Sequence, residues 1–226
     1  MKYQITGDSL PVLKIWLSQG ESIRCQSGGM SWMDNEIEMK TEFGGVGKMF
    51  GRMVNRESLA LNEYTAKKDG EIAFASTFPG SIIAVPLKDG QSIIAQKSAF
   101  LAMFGKIEST VFFQKRMGSV FFGGEGFIMQ QFTGNGIVFL EVDGSAHEYT
   151  IDKGDQMILD TGHLVMMDAT CTMDIQRIKG VKNVLFGGEG LFNTVVSGPG
   201  KIVVQSMPAS TTAMMLYSLM PQSSSS

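Results

Sequence analysis

The sequence predicts an all-β sandwich or barrel built from three repeated units, because two short motifs recur at nearly constant spacing. The first motif ends on a turn glycine, and its three copies are 70 and 64 residues apart: Gly20, Gly90 and Gly154. The second contains a glutamate, and its copies are 68 and 64 residues apart: Glu57, Glu125 and Glu189. A fixed period of this kind indicates repeated supersecondary units. Short apolar segments separated by glycine-rich turns are typical of all-β domains.

Within each unit, apolar residues alternate with other residues on the way into the first motif. Leu13, Ile15 and Leu17 have this period of two, and so do the corresponding residues of the other units. Such alternation predicts a strand with one buried face. Thirteen residues after each turn glycine stands a methionine, at Met33, Met103 and Met167. We expect these three methionines to form one core layer around a pseudo-threefold axis.

The predicted boundaries follow from the repeats. Residues 1–208 form a single β domain, with units at about 12–80, 81–147 and 148–208. Residues 209–220 are rich in Ala, Met and Leu and follow Pro208, which predicts a short C-terminal helix. The serine-rich residues 221–226 are expected to form a disordered tail.

Composition excludes several classes of protein. The 226 residues are 43% hydrophobic and carry a net charge of −3, so the whole chain has no basic excess typical of nucleic-acid binding. Two cysteines cannot form a disulfide framework. The first ten residues lack a signal-peptide pattern, and no run of 18 apolar residues occurs. We therefore expect a cytoplasmic protein.

Glycine-rich motifs in the second and third units carry a family resemblance. Gly123–Phe127 and Gly187–Leu191 read Gly-Gly-Glu-Gly-Phe/Leu, and Phe132–Gly136 reads Phe-Thr-Gly-Asn-Gly. This set resembles the AIM-type mitochondrial-biogenesis family, whose bacterial relatives are mostly of unknown function. The first unit departs from it, with Asn55-Arg56 before Glu57. The resemblance implies a pseudo-threefold β-sandwich of the double-stranded β-helix type, like the tryptophan RNA-binding attenuation protein (TRAP-like), and no catalytic residues.

Motifs for catalysis and cofactor binding are missing from the sequence. The segment around Lys48 is not a phosphate-binding loop, because Glu42 stands where the first glycine is needed and Met49 where Ser or Thr is needed. Two histidines without clustered partners do not predict a metal site. Cys25 aligns with Ala95 and Leu159, which predicts a buried, inert thiol. We expect no cofactor, no metal and no enzymatic activity.

The three repeated glutamates, Glu57, Glu125 and Glu189, leave one alternative open. Three carboxylates around a threefold axis could bind a cation or act in an uncharacterised enzyme. The simpler interpretation is structural. Each glutamate lies beside a predicted turn, where its carboxylate oxygens can accept hydrogen bonds from backbone N–H groups. Fold analogy leaves a further alternative, which is an RNA- or small-ligand-binding regulator.

Basic residues are concentrated in three segments that precede the glutamate motifs, at 40–56, 106–116 and 177–182. These segments carry a net charge of +8, and the rest of the chain carries −11. We predict that they form a basic face, whose candidate residues are Lys48, Arg52, Arg56, Lys115, Arg116, Lys179 and Lys182. Apolar residues that include Phe43, Ile107 and Phe112 alternate with the charges. Such a face suits an anionic membrane or an acidic protein, and nucleic acid is a weaker possibility.

Apolar residues in predicted turns favour self-association. Phe43, Phe50, Phe121 and Phe122 lie in such turns. Exposed apolar patches usually mark an interface. We therefore predict a homo-oligomer, with a trimer favoured.

Overall fold

The computed structural model describes residues 1–42, 61–112, 127–177 and 192–220, and these ranges are mostly β-sheet. The predicted tail at 221–226 lies outside them. The strands in chain order are β1 Lys2–Thr6, β2 Val12–Leu17, β3 Ser22–Gln26, β4 Trp32–Met33, β5 Ile37–Glu42, β6 Leu61–Ala66, β7 Gly70–Ala75, β8 Gly80–Leu87, β9 Ser92–Gln96, β10 Phe100–Val111, β11 Met129–Asp143, β12 Ala146–Ile151, β13 Gln156–Asp160, β14 Leu164–Asp168, β15 Thr172–Arg177, β16 Phe192–Ser197 and β17 Gly200–Gln205. The all-β prediction is confirmed.

The same pairing scheme recurs three times along the chain. The strand before the first motif pairs with the last strand of its own unit, as β2 with β7, β8 with β11 and β12 with β17. The strand after that motif pairs with the strand that follows the glutamate motif, as β3 with β6, β9 with β11 and β13 with β16. All of these pairs are antiparallel. The turn glycines between them have positive φ, including +75° at Gly90, which glycine adopts without steric cost.

The middle unit differs from its neighbours in having two long strands. β10 and β11 contain 12 and 15 residues, where the other units use two shorter strands for each. Gly105 lies in the middle of β10 with a φ of +98°, and its backbone packs against Asn135 and Gly136 of β11. A side chain here would be strained, because its Cβ would lie 2.6 Å from the Asn135 carbonyl oxygen.

Three sheets enclose three separate cores. A four-stranded sheet has the order β1-β2-β7-β4, and a three-stranded sheet has the order β13-β16-β15. Between them lies a ten-stranded sheet, β12-β17-β14-β9-β11-β10-β3-β6-β5, with β8 also on β11. The first core cluster joins the four-stranded sheet to one half of the large sheet, and the third joins the other half to the three-stranded sheet. The second cluster is formed by residues of the large sheet itself.

The three repeated methionines are distributed over these cores. Met33 packs against the first cluster, Met103 lies in the second and Met167 in the third. Each occupies the same place in its own unit, opposite Ile72, Val138 and Ile202 respectively. The prediction of one shared methionine layer is therefore wrong, because the three side chains pack in three different core clusters.

The C-terminal helix, α1, spans Ala209–Leu219 and confirms the predicted helix. Pro208 precedes it and is buried beside Gly162, while the backbone N–H of Ala209 donates to Asp143 Oδ2 at 2.8 Å. The helix itself has no buried residue, and Leu219 is 75% exposed. The helix therefore contacts the β domain through Pro208 and its first turn.

Candidate functional site

Every residue proposed from the sequence as a site residue lies outside the described part of the chain. The undescribed stretches are 43–60, 113–126 and 178–191. They contain the seven candidate basic residues, Lys48, Arg52, Arg56, Lys115, Arg116, Lys179 and Lys182, and the three glutamates, Glu57, Glu125 and Glu189. The structure therefore gives the positions of the strands on either side of these stretches.

Each undescribed stretch connects two strands that pair with each other. The stretches follow β5, β10 and β15 and lead into β6, β11 and β16. These are antiparallel pairs in equivalent places of the three units. The three basic segments thus share one position relative to the strands of their own units.

Two described lysines belong to the basic segments, and both are exposed. Lys40 is on β5 opposite Glu63 of β6, and Lys106 is on β10 opposite Asn135 of β11. Met39, next to Lys40, is also 50% exposed. The exposure of Met39 could not be predicted from the sequence, because it follows from the place of β5 at the edge of the large sheet.

Two apolar residues of the predicted face contact the core. Ile107 is 2% exposed and belongs to the second core cluster, and Phe112 is partly buried against the third. The prediction that Ile107 contributes to the basic surface is therefore wrong. The alternation of charged and apolar residues in β10 reflects the two faces of a strand, with Lys106 outward and Ile107 inward.

Both cysteines are free thiols buried in the fold. Cys25 is buried, and burial raises the pKa of its thiol to about 12. Its Sγ–H donates to the carbonyl of Gln26 at 3.1 Å. Cys171 is also buried, and burial together with the nearby Asp168 carboxylate raises its pKa. Both thiols are therefore protonated at neutral pH, and the predicted burial of Cys25 is confirmed.

One histidine and two aspartates of the described residues make hydrogen bonds to the backbone. His163 Nδ1 is 2.7 Å from the carbonyl oxygen of Gln205. Asp34 Oδ2 accepts the backbone N–H of Glu71, and Asp69 Oδ1 accepts that of Gln19. Across the described ranges, no group of three or more His, Cys, Asp or Glu side chains could hold a metal ion.

Comparison with known proteins identifies the family. Residues 3–207 match the sequence profile described as Mitochondrial biogenesis AIM24. The chain belongs to the AIM24 family. An uncharacterized protein of Streptococcus pyogenes serotype M6 is 30% identical over 223 residues, which are 95% of this chain and 88% of that protein. The resemblance noted from the glycine-rich motifs is thus confirmed.

A crystal structure of another Streptococcus pyogenes protein has a similar fold. It superposes with a TM-score of 0.78 at 28% identity, covering 97% of this chain and 99% of that one. This AIM24-family chain therefore shares the fold of its relative along nearly its whole length. No helix in the described ranges has the length and apolar character needed to cross a bilayer.

Proposed function

We propose that this AIM24-family chain is a non-catalytic binding or scaffold protein that self-associates and presents its basic loop segments to an anionic membrane surface. The observation that carries the proposal is the separation of charge, +8 in the three segments and −11 elsewhere. Lys40 and Lys106, the two described lysines of those segments, are exposed and support it, and Met39 beside Lys40 adds an exposed apolar side chain. A lysine or arginine near an anionic bilayer contributes about 1 kcal/mol of binding free energy.

The non-catalytic part of the proposal is supported by the state of the described reactive groups. The thiols of Cys25 and Cys171 are buried, with raised pKa values. The alternative is an enzyme that uses Glu57, Glu125 and Glu189. A reproducible turnover that is lost when Glu125→Gln and Glu189→Gln are introduced would support this alternative. We further propose that the three units form a pseudo-threefold β-sandwich of the double-stranded β-helix, TRAP-like type, and the recurring strand pairing supports this.

Co-sedimentation with vesicles tests the membrane proposal. We expect the protein to pellet with phosphatidylcholine–phosphatidylserine vesicles at low salt and to remain in solution with phosphatidylcholine alone. High salt should release it, since ions screen charges beyond about 8 Å at physiological ionic strength. Binding that ignores both salt and lipid charge would contradict the proposal.

A pair of charge-reversal variants provides the matched comparison. Lys48→Glu with Arg52→Glu lies within the first basic segment, whereas Lys88→Glu with Lys153→Glu lies in exposed turns outside all three. Both variants change the net charge equally, but only the first should weaken vesicle binding. Binding of single-stranded RNA in place of vesicles, lost in the same variant, would support the nucleic-acid alternative and overturn the membrane proposal.

A further inference from the structure

The three units of the chain are joined by two strand junctions with the same register. In the first junction β10 pairs with β3, and Met103 lies opposite Arg24. In the second junction β14 pairs with β9, and Met167 lies opposite Ile94. Each methionine is 13 residues after the turn glycine of its own unit, and each partner is four residues after that of the preceding unit. The junction is therefore a repeated feature of the fold.

Among the described residues, the first and third units each carry one half of such a junction without a partner strand. β4 is an edge of the four-stranded sheet, and β13 is an edge of the three-stranded sheet. Counted from the turn glycines, Met33 of β4 corresponds to Met103 and Met167, and Ile158 of β13 corresponds to Arg24 and Ile94. The first unit thus offers a strand for a preceding unit, and the third unit offers one for a following unit.

Side chains that are buried at the existing junctions are exposed at these two edges. Ala102 is fully buried in the first junction and Met166 is 6% exposed in the second, whereas Trp32 at the corresponding place in β4 is 46% exposed. At the corresponding place of β13, Ile158 is 65% exposed, whereas Ile94 is 2% exposed in the second junction and Arg24 is half-buried in the first. The ends therefore expose the side chains that a junction would cover.

The edge of β13 lacks the usual protection against strand addition. Natural edge strands are shielded by lysine, proline or a bulge, because their free N–H and C=O groups can pair with another chain. The centre of β13 is Met157-Ile158-Leu159, without a charge or a proline. Met157 and Leu159 are only half-buried against the third core cluster, whereas their counterparts are buried, Ile23 and Ile93 for Met157 and Cys25 and Ala95 for Leu159.

We propose that copies of this chain associate head to tail, with β4 of one copy pairing with β13 of the next. The register of the existing junctions places Met33 opposite Ile158, Trp32 opposite Leu159 and Asp34 opposite Met157. Trp32 then covers the third core cluster of the neighbouring copy, as Ala102 and Met166 contact the first and second clusters. The partner is a second copy, because β4 and β13 of the same chain lie in different sheets and do not pair.

This inference rests on the self-association in the proposed function and specifies its interface. A head-to-tail contact uses two different surfaces of each copy, so it closes into a ring when the rotation between copies permits. A ring of three copies would agree with the trimer expected from the sequence. In it, each sheet at a contact would run continuously from one copy to the next.

Mixing two single-cysteine variants tests the register directly. We expect purified Met33→Cys and Ile158→Cys, mixed and oxidised, to form a disulfide-linked dimer containing one of each. Neither variant alone should do so, and the buried Cys25 and Cys171 leave the wild type unlinked. Gln156→Cys, two residues out of register, is the control, because a disulfide requires Cα atoms within about 7 Å. Linked Met33→Cys homodimers, or equal linkage of Gln156→Cys, would overturn the proposal.

Two lysine substitutions distinguish the β13 edge from the exposed apolar surface of α1. Ile158→Lys should raise the apparent dissociation constant of the oligomer about 100-fold, because a charge would enter an apolar interface. Leu219→Lys on α1 is equally exposed in one copy and should leave the constant unchanged. Circular dichroism of both variants checks that they fold. An apparent dissociation constant that is unchanged in Ile158→Lys contradicts this interface while leaving self-association standing, and a monomeric wild type contradicts both.

Discussion

Glu141 of β11 is a buried carboxylate that holds the connection between the first and second units. It is 5% exposed, and its Oε2 accepts the backbone N–H of Thr77 at 2.8 Å and the Thr77 hydroxyl at 3.2 Å. The Ser76 hydroxyl lies 3.0 Å from the same Oε2 and also donates to the carbonyl oxygen of Phe78. Glu141 therefore fastens the segment between β7 and β8 to the sheet.

Replacing Glu141 with alanine should lower the free energy of unfolding by about 3 kcal/mol. A hydrogen bond to a charged group contributes about 1.5–3 kcal/mol. The Thr77 N–H provides one such bond, and the hydroxyl bonds add less because Thr77 is exposed to water. For a chain of this length, that loss corresponds to a Tm decrease of about 6–12 °C. Glu141→Gln keeps one acceptor oxygen, so its effect should be smaller.

Guanidinium chloride unfolding followed by far-UV circular dichroism measures the change in the free energy of unfolding, and thermal unfolding measures the change in Tm. Glu148→Ala is the matched control, because Glu148 and its partner Lys201 are both 60% exposed and should leave the Tm unchanged. We therefore expect the order of destabilisation to be Glu141→Ala, then Glu141→Gln, then Glu148→Ala. If Glu141→Ala unfolds at the same denaturant concentration as Glu148→Ala, the reasoning about the buried carboxylate is refuted.

Three further predictions follow from individual residues. Native protein at pH 8 should not react with a thiol reagent at Cys25, whose raised pKa of about 12 keeps it protonated, but should react once unfolded. Burial raises the pKa of Asp143, so stability should fall as pH rises through that raised pKa; urea unfolding of Asp143→Asn should show a weaker dependence on pH. Gly105→Ala places a Cβ 2.6 Å from the Asn135 carbonyl oxygen and should cost about 2–4 kcal/mol in urea unfolding, whereas Gly90→Ala, with no atom within 4 Å, should cost about 1 kcal/mol.

The periodicity of the sequence was sufficient to predict the β-strand class, the C-terminal helix and the burial of Cys25. Alternation of apolar residues at Leu13, Ile15 and Leu17 predicts a strand with one buried face, and all three side chains are buried. Such signals are local, since they depend on which neighbours along one strand share a face. They do not depend on how the units are arranged.

The arrangement of units depends on contacts between distant residues, which local patterns do not contain. Met33, Met103 and Met167 are equivalent in sequence but lie in three cores, because the units join edge to edge. Ile107 was predicted at a charged surface because its neighbours are charged, but the ladder between β10 and β11 turns it inward. The exposed edge at Ile158 could not be predicted either, because its sequence matches that of a buried strand.

Sedimentation equilibrium of the wild-type protein at micromolar concentration tests the central claim most directly. The two free edges predict a homo-oligomer, with a mass that is a multiple of the 24.6 kDa chain and three copies favoured. The same measurement on Ile158→Lys should give the mass of a single chain. A wild-type mass of one chain across the whole concentration range would contradict the account, because both edges would then remain unpaired in solution.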